Sequence, residues 1–202
     1  MQPYYADYVS NLRELHQEIR GAVAGLPQEA LDWTPGSETN SIGVLVVHVA
    51  GAQRYWAEDV IAGDASGRDR EAEFQVCGLP ADSLILRLGE SEAYVRQALE
   101  GLTLPELEAA RISPRSGREV TMGWAMGHAL KHTALHVGQI QIMRQLWEQH
   151  RASARSQRKP GVRFAASTQG AGMPAPCPGV SHEQPGPLSG GPMTRSSLRT
   201  RI

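Results

Sequence analysis

Apolar positions along this chain fall into four helical stripes separated by polar stretches. From Pro3 to about Ala24, Tyr4, Tyr8, Leu12, Leu15, Ile19 and Val23 recur at steps of three and four. That spacing is one face of an amphipathic helix. Pro3 is tolerated in its first turn, and Gly25 with Pro27 ends it. The linker PQEALDWTPGSETN carries turn and cap signals at Pro35–Gly36 and Asn40–Ser41, so a second helix begins near Ser41.

The second helix is apolar over much of its circumference through Ile42, Val44, Leu45, Val46, Val47 and Val49. Its β-branched residues suit a strand, but the apolar pattern continues without a turn through Tyr55, Trp56, Val60 and Ile61 to about Ala62, which is helix length. His48 stands in the middle of this apolar part. A polar, glycine-bounded segment of 18 residues, 63–80, follows. It exceeds common loop lengths, a feature of functional or mobile connections. A third helix over Ala81–Leu102 places Leu84, Leu88, Ser91, Val95 and Ala98 on one stripe. The polar stretch 105–119 reads as a turn-rich connection. A fourth helix over Thr121–Trp147 has a broad apolar face made by Ala125, Ala129, Leu135, Ile140, Ile142, Met143 and Leu146. Four such helices and no strand predict an all-α fold, a four-helix bundle whose topology the loop lengths leave open.

Charge divides the chain at about residue 150. Residues 1–150 hold 12 Lys and Arg against 20 Asp and Glu, and 151–202 hold 8 against 1. The second segment is also rich in Pro, Gly and Ser, and cannot bury enough apolar surface to offset its ordering entropy. The expected organisation is a bundle domain over 1–150 and a basic, disordered tail over 151–202. Cys77 and Cys177 form neither a metal-type motif nor a disulfide framework, so both read as free thiols of a reducing compartment. MQPYYADYVSNL lacks the basic start and apolar run of a signal peptide, and no apolar run approaches the about 20 residues of a membrane span. A cytoplasmic protein with no membrane partner is expected. The acidic domain argues against nucleic acid, since the tail alone would give only salt-sensitive affinity.

The fourth stripe carries the chemistry. His128, His132 and His136 recur at four-residue steps, just over one helical turn, so they share a face. An HxxxH pair offers two neutral imidazole nitrogens to one ion, and His48 can supply a third. Spacing alone does not separate the pair 128/132 from 132/136, and His132 belongs to both. Three nitrogens leave a coordination position open, as catalytic sites do. His16, His150 and His182 are assigned no role. Glu58, Asp59 and Glu92 are possible sources of a carboxylate to orient a ring. Trp33, Trp56, Trp124 and Trp147 suit packing, with Trp124 placed to line a pocket beside the histidines.

SIGVLVVHVAGAQRYW, HTALHVGQIQIMRQLW and the upstream WTPGSETN together resemble the DinB/YfiT-like superfamily of metalloenzymes over about residues 1–150. The resemblance implies a four-helix bundle with metal ligands at His48, His132 and His136, and leaves His128 as a neighbour. LHVGQ stands here where a common form of the motif reads HHRGQ, which removes an arginine but no ligand. The resemblance also implies a divalent metal, with zinc or nickel the best match to imidazole. It implies a metal-dependent reaction of a low-molecular-weight thiol such as bacillithiol, mycothiol or glutathione with a small electrophile, that is, S-transferase chemistry. Metal-dependent hydrolysis and a non-catalytic, metal-stabilised ligand-binding bundle are the alternatives. Relatives often form homodimers, and the exposed apolar helix positions are compatible with one.

Overall fold

The computed structural model describes residues 1–157. Four long helices form the bundle: α1 (Pro3–Val23), α3 (Ile42–Arg54), α5 (Ala81–Leu99) and α6 (Met122–Gln157). Two short helices, α2 (Gln28–Asp32) and α4 (Arg70–Glu73), lie in the connections before and after α3. The fold is all-α with one small addition. A two-stranded antiparallel hairpin, β1 (Ala110–Ile112) and β2 (Glu119–Thr121), pairs Arg111 with Val120. It occupies the stretch read from sequence as a plain connection. Each strand has three residues, and only Val120 is buried, so neither could show an alternating pattern.

α3 packs between α5 and α6, and α1 closes the ring on the far side, so α1 and α3 face each other across a diagonal. The linker between them therefore spans the bundle, with α2 laid on α3. Ser41 caps α3, its hydroxyl accepting a hydrogen bond from the Val44 amide at 3.2 Å. Beyond Arg54 the helix continues as a π-helical stretch, Tyr55–Ala62, and ends on Gly63, whose φ of 80° is the left-handed stop that glycine supplies. α6 runs seven residues past 150, to Gln157. The remainder of the expected tail, 158–202, lies outside the described residues, as does Cys177. Cys77 is disulfide-bonded, which corrects its reading as a free thiol.

Two apolar clusters fill the bundle. One gathers Ile19, Leu31, Leu45, Leu84, Leu88 and Ile140, and the other Tyr5, Leu12, Val60, Leu99, Met122 and Met126. Each fully buried side chain of this kind contributes about 1.5–3 kcal/mol. The stripe read on α5 is correct at Leu84, Leu88, Ser91 and Val95. On α6 the broad face narrows. Leu135 is 63% exposed, Ile142 57% and Leu146 37%, while Ala125, Ala129, Ile140 and Met143 are buried. Steps of seven and four put those three leucine and isoleucine side chains on one outward stripe. On α1 Tyr4 is exposed and Tyr5 takes the buried place.

A polar layer sits inside the bundle, with one side chain from each long helix. Gln53 of α3 is its hub: its Oε1 accepts from Ser91 of α5 at 2.7 Å and lies 2.9 Å from His16 Nε2 of α1. Its Nε2 donates to Thr133 of α6 at 3.1 Å. His16 is thus a hydrogen-bonded core residue, and burial pushes its pKa down against the opposing pull of Gln53 and Glu92. Below about pH 6.5 the unfolded chain takes up protons that the folded state excludes. Stability from this group is full above that pH and declines on acidification, and the lowered pKa values of His128, His132 and His136 act in the same sense. Urea unfolding should show a lower midpoint at pH 5.5 than at pH 7.5, and His16→Gln should flatten the difference. Equal midpoints for the wild type would contradict the buried-neutral assignment.

Candidate metal centre

His48 projects from the middle of α3, and His132 and His136 from successive turns of α6. The packing of α3 on α6 brings the three rings together. His132 Nε2 lies 3.3 Å from His48 Nε2 and 3.2 Å from His136 Nε2. Among the described residues these three are the one group of His, Cys, Asp or Glu side chains whose ligand atoms all fall within 4.8 Å of one another. His128, one turn earlier, turns away. Its ring stacks on Trp124 with centroids 4.8 Å apart and packs on Trp56 at 4.9 Å.

The partners on the far side of each ring decide where the protons sit. His48 Nδ1 donates to Glu73 Oε2 at 2.8 Å, and His136 Nδ1 donates to Gln139 Oε1 at 2.6 Å. In the neutral form of each ring Nε2 is then the unprotonated nitrogen, and it faces His132. His132 Nε2 can donate a proton to only one of them, and His132 Nδ1 is buried with no partner among the described residues. As a purely protein arrangement the cluster is left incomplete. A cation removes the conflict, because it accepts three lone pairs at once. Two nitrogens bound to tetrahedral zinc at about 2.0–2.1 Å stand about 3.3–3.4 Å apart, close to both observed spacings. The donor set thus fits a divalent ion.

Electrostatics keep His132 and His136 neutral. Burial and then the neighbouring His136, His48 and His128 rings push His132 down to about 3. Burial also lowers His136, with His48 adding to the effect. A neutral imidazole is the metal-binding form, so little proton competition is expected at neutral pH.

Glu73 comes from α4, inside the long polar connection. Arg68 holds its carboxylate in a fork, Nε to Oε1 at 2.6 Å and Nη2 to Oε2 at 2.8 Å. Burial pushes the Glu73 carboxyl up, but hydrogen bonds from Arg68 and His48 outweigh it and hold the group below the usual range. Asp69 starts α4 by accepting from the Ala72 amide at 3.0 Å. Gly51 on α3 makes the approach possible. A Cβ there would overlap the Glu73 carboxylate and come within 3.3 Å of Arg68 Nε.

A family model for the DinB superfamily matches residues 11–140. The chain belongs to the DinB superfamily. The DinB match runs from within α1 to residue 140 of α6, so all three histidines of the cluster lie inside it. A solved structure titled as a conserved protein from Enterococcus faecalis shares the fold, with a TM-score of 0.61 and 15% identity over 72% of this chain and 98% of that one. No curated protein matches the chain. DinB proteins are often metal-binding, and the His48, His132 and His136 arrangement could hold a metal here.

Three expectations on the surroundings of this DinB cluster need correction. Glu58 pairs with Arg54, Glu92 pairs with Arg13, and Asp59 Oδ1 faces the Ser66 amide, so none orients a ligand ring. That role falls to Glu73, inside the long polar connection that was expected to be a loop of functional or mobile type. The available signals were Phe74 and Val76, apolar residues with no reason to sit in a solvated loop, and the Asp69 cap. The glutamine of HVGQ also acquires a reason, as the acceptor that fixes His136.

Proposed function

We propose that the protein binds a divalent metal ion, zinc or nickel, through His48, His132 and His136 and uses it to transfer a low-molecular-weight thiol to a small electrophile. The observation carrying this reading is the convergence of three imidazole Nε2 atoms beside an open cavity, with Glu73 and Gln139 fixing two of the three rings. A divalent ion at such a site holds a thiol as its thiolate, the reactive form, near neutral pH.

The chain's own contribution is positional. Glu73 anchors His48, Arg68 anchors Glu73, and the α3–α6 contact sets the spacing between the rings. Three protein nitrogens leave room for an exogenous ligand on the cavity side, where His48 and His132 line the wall. Among the described residues no helix is long and apolar enough to cross a membrane. The domain reading, a bundle and a separate basic tail, belongs to the same proposal, as do a cytoplasmic setting and a homodimer.

Thermal-shift measurements on zinc- or nickel-loaded protein with bacillithiol, mycothiol and glutathione test the reading. One thiol should raise the melting temperature of the loaded protein and leave the stripped protein unchanged. With that thiol, 1-chloro-2,4-dinitrobenzene should be turned over only by the loaded form. Thiol-independent melting together with no turnover would sink the thiol-transfer reading.

A further inference from the structure

The cavity beside the histidine cluster has a volume of about 450 Å³ and is lined by three arginines, Arg68, Arg70 and Arg115, with no carboxylate in its wall. This is a local inversion of charge, because residues 1–150 carry 12 basic against 20 acidic side chains. The three arginines are not equally matched. Arg68 is answered by Glu73. Arg70 has only Glu71, at 3.7 Å, with a carboxylate side chain that is 89% exposed. Arg115 forms no ion pair among the described residues.

The wall is built, and its position is held by several contacts. Arg115 sits in the turn of the β1–β2 hairpin, and that turn is pinned over the cavity by Tyr55. The Tyr55 hydroxyl lies 2.7 Å from Ser113 Oγ and accepts from the Arg115 amide at 3.3 Å. Arg70 lies over the ring of Phe74, 4.8 Å from its centroid. Burial, and then the like charges of Arg115 and Arg68, depress Arg70 from its ordinary value. The cost of gathering these guanidinium groups is relieved when an anion enters. Guanidinium forks match planar oxyanions with paired hydrogen bonds. Trp56 and His128 line the same cavity with aromatic surface, and Trp124 packs on both rings.

We propose that this cavity binds a small aromatic oxyanion, its charged group on Arg70 and Arg115 and its ring against Trp56, with the rest of the molecule directed at the histidine cluster. As a binding site the proposal stands alone. As the identity of the electrophilic substrate it rests on the metal-dependent reading above.

Calorimetric titration of chelator-stripped protein with benzoate and with phenyl phosphate tests it, because a bound metal cannot then supply the affinity. Either aryl anion should bind in the millimolar range or tighter, more weakly as salt is raised. Benzyl alcohol should not bind, and acetate should bind at least about tenfold more weakly than benzoate. The Arg70→Gln/Arg115→Gln variant should lose at least about tenfold, while Arg96→Gln, outside the cavity, should not change. Melting curves check that each variant folds. Should the glutamine pair fail to fold, the Arg70→Lys/Arg115→Lys pair carries the test, retaining salt-sensitive binding weaker than wild type. Silence from both aryl anions, equal affinity for benzyl alcohol, or unchanged binding in the glutamine variant overturns the proposal. Acetate binding as tightly as benzoate overturns the placement of a ring on Trp56. Zinc uptake measured on the same protein after metal is added back keeps the two ideas apart. Protein that takes benzoate but no metal retains this site and loses the reaction, and the reverse result does the opposite.

Discussion

His132→Ala should abolish stoichiometric divalent metal in protein purified without chelator or affinity-tag nickel. His132 is the central member of the cluster, within 3.3 Å of His48 Nε2 and 3.2 Å of His136 Nε2. Its removal leaves two nitrogens that no longer share a neighbour. Loss of an outer partner costs a metal site about 10–100-fold in affinity, so loss of the middle ligand should exceed that. His48→Ala/His132→Ala should be metal-free. His128→Ala is the control of similar chemistry. Its ring centroid stands 6.2 Å from that of His132 and its faces are taken up by Trp124 and Trp56, so its removal should leave metal content unchanged. Elemental analysis of the four proteins decides the matter. If His128→Ala loses as much metal as His132→Ala, or if His132→Ala keeps a full equivalent, the ligand set is wrong.

That experiment addresses the one choice that spacing left open. Steps of four put His128, His132 and His136 on one face of α6, and nothing in the 3.6-residue period prefers one pair over the other. What separates them is tertiary: α3 brings His48 opposite His132 and His136, and its π-helical continuation brings Trp56 against His128. The helices themselves were legible because their stripes are long. α1 and α3 begin where proline and serine signals place them, and α5 begins at Ala81 as read. The outward stripe of Leu135, Ile142 and Leu146 was not legible, since apolar side chains keep the same period whether or not a neighbour covers them. The hairpin and α4 were missed because three- and four-residue elements carry no period at all. Both are held by contacts distant in sequence, Tyr55 with Ser113 and His48 with Glu73.

The polar connection over 63–80 has gained the most from being seen in three dimensions. Its length fitted a functional segment, and its role proves to be delivering a carboxylate to the back of His48. The delivery depends on a gap in α3, because a Cβ at Gly51 would overlap the Glu73 carboxylate and crowd Arg68 Nε. A glycine inside a helix costs about 1 kcal/mol relative to alanine. Here that cost is offset by the approach it permits, a reading that helix propensity alone could not supply.

Glu73→Gln should therefore weaken metal binding by about 10–100-fold while leaving all three histidines in place. The amide keeps the size of the carboxylate but removes the charge that holds the Nδ1 proton on His48. It also strands Arg68, and breaking a buried ion pair by removing one partner costs about 3–5 kcal/mol. Stability and positioning can be separated. Arg68→Met added to Glu73→Gln should recover much of the lost melting temperature, since the stranded charge is gone, but should not recover metal affinity. Gly51→Ala makes the same point without touching either charged group. The new methyl displaces the Glu73 carboxylate from His48, so metal affinity should fall in the same direction, although alanine favours the helix. Competition with a chromophoric chelator measures the affinity and urea unfolding the stability. Metal affinity restored by Arg68→Met, or untouched in Gly51→Ala, would reduce Glu73 to a structural ion pair and remove its role in orienting His48.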